Sequence, residues 1–110
     1  MGGGESMYVK LLSDSLEDWT EELSPEELVD YALACRREIP ETPSVQRDTV
    51  YGLLGAEVAY DRVLIKLCAA MNFECVVVNF AFPKQERRRV EAELAVRGVD
   101  LAVLSRTRQP

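Results

Sequence analysis

Apolar residues recur at helical spacing along most of this chain. Tyr60, Val63, Leu64, Leu67 and Met71 fall three and four residues apart, and Val58, Ile65 and Cys68 widen the stripe. A face that wide predicts a central helix buried against two neighbours. The helical pattern begins near Ser44 but is interrupted by Gly52 and Gly55. Each glycine costs about 1 kcal/mol relative to alanine in a helix interior, so the spacing predicts either two helices meeting near Gly55 or one kinked helix. Close packing against a neighbour is the other use for such glycines. Upstream, Leu28, Ala32, Cys35 and Ile39, with Tyr31 beside them, form a single stripe. Ser24-Pro25-Glu26-Glu27 opens that helix, with Ser24 as N-cap, Pro25 at the first helical position and Glu27 completing a capping box. Pro40 ends it, and Glu41-Thr42-Pro43 reads as a short extended connector. Tyr8, Leu12, Leu16 and Trp19 also follow helical spacing. Residues 7–12 fit a short edge strand as well, and helix is the preferred reading.

Beyond the central helix the period changes. Cys75-Val76-Val77-Val78 is short, continuous and β-branched, which predicts a strand buried on both faces. Pro83 suits the first position of the next helix, Gly98 its C′ position, and Val99 to Leu104 a second strand. Strand, helix and strand in this order predict a right-handed crossover with parallel pairing. The expected fold class is therefore α+β and helix-rich, with three to five helices and a two- or three-stranded sheet formed by the C-terminal strand-helix-strand unit. So small a sheet needs cover from the N-terminal segment, from the helices or from a second chain. One globular domain is expected over 7–105, flanked by a flexible 1–6 and a frayed basic tail, 106–110.

Composition narrows the classes. The 110 residues suffice for one core, and 47 % apolar with 29 % charged residues is ordinary for a folded domain. No apolar run approaches the roughly 18 residues of a membrane span, and the N-terminus lacks the charged and apolar regions of a secretory signal. A soluble, cytoplasmic protein is the expectation. The net charge of −6 is unevenly spread: residues 1–43 carry eleven acidic and three basic side chains, residues 44–110 eight acidic and ten basic. This balance disfavours nucleic acid, whose affinity depends on neutralising phosphates. Lys84, Arg88 and the basic tail would carry that reading. Arg87 precedes Glu91 by four, Arg89 precedes Glu93 by four and Glu93 precedes Arg97 by four, so the triple arginine is expected to be balanced on its own helix.

Candidate chemistry is sparse. The chain has no histidine, which removes the commonest general base and most transition-metal chemistry. Phosphate-cradling glycine motifs are missing as well. Cys35, Cys68 and Cys75 form no C-x-x-C pair and read as three buried free thiols; a Cys68–Cys75 disulfide would need an oxidising compartment. No cofactor or metal is expected. The acidic series Asp14, Glu17, Asp18, Glu21, Glu22, Glu26 and Glu27 reads as a solvated face. Among polar groups on the central helix, Glu57 and Asp61 lie one turn apart. Asp61 has Val58 and Ile65 close by, a setting that raises a carboxyl's pKa and suits acid/base work. Tyr60 is a third catalytic candidate. The commoner role for Asp61 is an ion pair at the edge of the stripe, with Arg62, Lys66 or a neighbour's arginine. Ligands of parallel sheets bind beyond the strands' carboxyl ends, which makes Asn79, Phe80, Ser105 and Arg106 the ligand-binding candidates.

Two readings of function lead. The first is a small non-catalytic protein-interaction or regulatory module, self-associating or pairing its acidic N-terminal half with a basic protein. The alternative is a small-molecule binder or acid/base enzyme using Asp61 and Glu57.

Overall fold

The computed structural model describes residues 7–39 and 49–107. These form α1 (Met7–Glu17), α2 (Pro25–Glu38), α3 (Thr49–Ala70), a 3-10 helix (Val77–Ala81), α4 (Pro83–Val96) and α5 (Leu101–Thr107). The protein is helix-rich, and no strand occurs among the described residues. The expected α+β class with its two- or three-stranded sheet is therefore incorrect.

Both misread segments close their hydrogen bonds locally. Asp100 caps α5: its carboxylate accepts from Val103 N–H at 3.1 Å and its carbonyl from Leu104 N–H at 2.9 Å. A capping carboxylate before a short apolar run satisfies the backbone without a partner strand. The valine run splits between an irregular stretch through Val76 and the 3-10 helix, where Asn79 N–H reaches the Val76 carbonyl at 3.1 Å. That turn swings Phe80 into the core while Val76 and Val78 remain exposed. An isolated pair of short strands is marginal in water, so burying one large ring on a tight turn is the better solution here.

The helix signals acted as local physics demands. Ser24 and Glu27 form the reciprocal capping box, with Pro25 at the first turn. Residues 7–12 are helical. Pro83 opens α4, and Gly98, at φ +98°, ends it. Val99 N–H bonds the Leu94 carbonyl at 2.8 Å and Gly98 N–H the Ala95 carbonyl at 3.0 Å, a paired closure that requires a left-handed residue. Asn72, at φ +64°, closes α3 in the same way, with Phe73 N–H on the Cys68 carbonyl at 3.0 Å.

One helix runs unbroken through both Gly52 and Gly55, so no second helix begins there. A Cβ on Gly55 would meet nothing within 4 Å, so that glycine does not serve close packing. The expectations of a connector at 41–43, a flexible segment at 1–6 and a frayed tail at 108–110 concern residues outside the described ones. Arg106 belongs to α5.

Helix α3 is central, with α1, α2 and α4 packed on it, α5 against α2 and α4, and the 3-10 helix against α1 and α4. Tyr60, Val63, Leu64, Leu67 and Cys68 of α3 meet Leu12, Leu28, Ala32, Leu33, Phe80, Val90, Leu94 and Leu101 in one core. No described helix is long and apolar enough to cross a membrane.

Candidate functional site

Asp61 lies inside the core, with no solvent exposure. Its partner is Arg87 of α4, and neither Arg62 nor Lys66. The guanidinium grips it with two bonds, Nε to Oδ1 at 2.7 Å and an Nη to Oδ2 at 2.8 Å. The Tyr8 hydroxyl of α1 donates to the same carboxylate. Arg87 also reaches Glu57 at 3.2 Å and the Tyr8 oxygen at 3.4 Å. Tyr8, Glu57, Asp61 and Arg87 thus join α1, α3 and α4 through one buried polar network. Burial pushes the Asp61 carboxyl above its ordinary value of 3.8, while the bonds and charge of Arg87 and the Tyr8 bond pull it back.

A second network lies one residue away on α3. Tyr60 donates to Glu91 of α4, and Arg36 of α2 reaches the same carboxylate oxygen at 3.3 Å. The Arg36 fork extends to the Ser105 hydroxyl of α5 at 3.5 Å. Tyr60 is therefore a core residue that connects α3 to α4, with α2 held through the same carboxylate and α5 through Arg36. Arg62 turns to a third group, donating to the Ser15 carbonyl and to the Tyr31 hydroxyl, each at 3.2 Å. It lies 4.8 Å from the centre of the Trp19 ring, which stacks on Tyr31 at 5.6 Å and anchors the α1–α2 connection.

These assignments correct the expected charge balance of α4. Arg87 turns inward, Glu91 is taken by Tyr60 and Arg36, and Arg89 pairs with Glu86, three residues before it. Only Glu93–Arg97 forms the expected pair, at 3.2 Å. The missed signal was in the spacing: Arg87 stands three before Val90 and seven before Leu94, on the apolar face of its helix. An arginine there calls for a buried acid, and Asp61 occupies the matching place in the α3 stripe.

The structure brings Glu57 and Asp61 together through Arg87. Asn79, Phe80, Ser105 and Arg106 lose the shared basis on which they were grouped, because no sheet supplies strand ends. Phe80 is fully buried, Ser105 is buried against Arg36, and Asn79 and Arg106 are exposed. Among the described residues no group of three or more cysteines and carboxylates is placed to hold a metal ion.

Both buried hydroxyls have a measurable consequence. Burial, then the neighbouring carboxylate charge, raises Tyr8 and Tyr60 well above their ordinary value of 10.0. The unfolded chain releases these protons near pH 10 while the folded chain retains them, so their stabilising contribution is complete below about pH 10 and falls as pH rises further. Urea midpoints should therefore decline between about pH 9 and pH 11, and less steeply in Tyr8→Phe and Tyr60→Phe.

No family model matches this chain, and neither a curated protein nor a solved structure does.

Proposed function

We propose that this protein is a small non-catalytic interaction module whose contact surface is the edge formed by α1 and the 3-10 helix. The observation that carries this reading is apolar exposure on two elements packed together. Met7 and Leu11, one turn apart on α1, are exposed, as are Val78 and, just past the 3-10 helix, Phe82. Phe82 is 71 % exposed, a large ring that contributes little to its own domain. Exposed aromatic and methionine side chains are characteristic of interface centres. Around the α1–α2 connection, Glu17, Asp18, Glu21 and Glu22 are exposed, an acidic field that would steer a basic protein, the alternative occupant to a second copy of this acidic chain.

The polar interior favours this reading over the acid/base alternative. Both Asp61 oxygens are engaged by Arg87 and Tyr8, and a general base must reach its substrate's proton. The partner proposed first is a second copy of the chain. Light scattering should give a mass near twice 12.4 kDa at high concentration, returning to the monomer mass in Phe82→Glu. A chain that is monomeric at every concentration and binds no polylysine at low salt would overturn the proposal.

A further inference from the structure

The two ends of α1 lie in different parts of the molecule. An Nη of Arg87, near the start of α4, donates to the Tyr8 oxygen at 3.4 Å, whereas the Ser15 carbonyl accepts from Arg62 at 3.2 Å and Trp19 stacks on Tyr31 of α2. Helix α1 and its exit turn thus bridge from the start of α4 to α2, about 15 Å from Tyr8 to Asp18 at a rise of about 1.5 Å per residue. These ends carry opposite charge. Lys84 and Arg88, one turn apart on α4 and just past the exposed Phe82, are exposed and form no ion pair among the described residues. At the far end Glu17, Asp18, Glu21 and Glu22 are exposed and equally without one. Met7, Leu11, Asp14 and Asp18, all exposed and spaced four, three and four apart, form an outer stripe of α1 that passes from apolar to acidic. Asp18 N–H bonds the Asp14 carbonyl at 3.2 Å, which keeps Asp18 on that stripe.

We propose that two copies of the chain dock antiparallel along this edge, Lys84 and Arg88 of each meeting the acidic α1–α2 connection of the other. Resting on the interaction surface proposed above, the pairing adds to it a direction and a charge rule. A two-fold interface brings one patch against itself, so a patch with unlike ends matches only when the two copies run in opposite directions. Parallel alignment would set acid against acid and base against base. The antiparallel pair encloses the apolar residues of both edges between two sets of ion pairs, which fix register more than strength. Each copy carries −6, so the two repel at a distance. At about 0.15 M salt the Debye length is about 8 Å, and that repulsion is damped far more than ion pairs in contact.

The test is charge reversal in the full chain, read by light scattering at a concentration where the wild type shows twice 12.4 kDa. Lys84→Glu with Arg88→Glu should return the monomer mass, and so should Asp18→Lys with Glu22→Lys. Mixed in equal amounts, the two variants should recover the doubled mass, because the reversed end of each then faces an unlike end of the other. A single chain with all four changes should recover it alone. Carbodiimide treatment of the wild type needs no variant and should join Lys84 of one copy to Glu21 or Glu22 of the other.

A wild-type dimer that Phe82→Glu breaks but both reversals leave intact would overturn the antiparallel pairing while the interaction surface stands. Reversal variants that stay monomeric when mixed, or dimers cross-linked only elsewhere, would overturn it too. A mass that keeps growing past the dimer would show an open head-to-tail chain in place of the closed pair. A chain monomeric at every concentration would overturn the pairing, and the surface with it only if polylysine also fails to bind.

Discussion

Replacing Arg87 by methionine should cost about 3–5 kcal/mol of folding stability, because it leaves the Asp61 carboxylate buried without its counter-charge. Asp61 is completely enclosed and the Arg87 side chain is only 12 % exposed, so water cannot take over the lost bonds. In this variant Asp61 can relieve the penalty by holding a proton, which places its folded-state pKa above the unfolded value. A carboxyl raised in this way binds more protons folded than unfolded, so stability must fall as pH rises. Urea unfolding should therefore find Arg87→Met more damaged at about pH 8 than at about pH 5. Adding Asp61→Leu to Arg87→Met should recover part of the loss, since an apolar pair often replaces a buried ion pair without penalty. Equal losses at both pH values, with no recovery in the double variant, would mean that Arg87 contributes packing rather than charge.

Phe80→Ala is expected to cost about 3–5 kcal/mol, the usual loss for deleting a fully enclosed phenyl ring. Phe80 has no exposed surface, and it is the buried residue of the 3-10 helix. Losing the ring should also free the connection between α3 and α4, visible as faster amide exchange from Val76 to Ala81. Phe82→Ala is the matched control. With its ring mostly in solvent, it should change the stability of the monomer by no more than about 0.5 kcal/mol, measured at concentrations below those of self-association. Similar losses at both positions in chemical denaturation would contradict the structure's placement of Phe80. The comparison also distinguishes the two roles of this segment, since Phe82 is the residue assigned to contact and Phe80 the one assigned to the core.

The parts of the fold legible from the chain were those decided within one or two turns of helix. The Ser24–Glu27 capping box, Pro83 at the start of α4, Gly98 at its end and the buried stripe from Tyr60 to Leu67 all depend on neighbours four or fewer residues away. The errors came where short apolar runs carry no decisive period. Cys75 to Val78 and Val99 to Leu104 suit a strand by composition, and strand pairing depends on a distant partner that the sequence does not display. Asp100 held the contrary signal, a capping carboxylate in front of α5.

The polar candidates divide in the same way. Sequence alone determined that Asp61 sits in an apolar stripe, that Glu57 lies a turn before it and that Cys68 and Cys75 are seven residues apart. Tertiary structure decided what each group meets. Arg87 and Tyr8 reach Asp61 across separations of 26 and 53 residues, and Glu91 reaches Tyr60 across 31. Helical periodicity fixes which face a residue occupies, but the partner on that face is set by how whole helices pack. For that reason the chain by itself supplied its helices and their stripes, while the buried networks and the exposed edge at Phe82 came only with the fold.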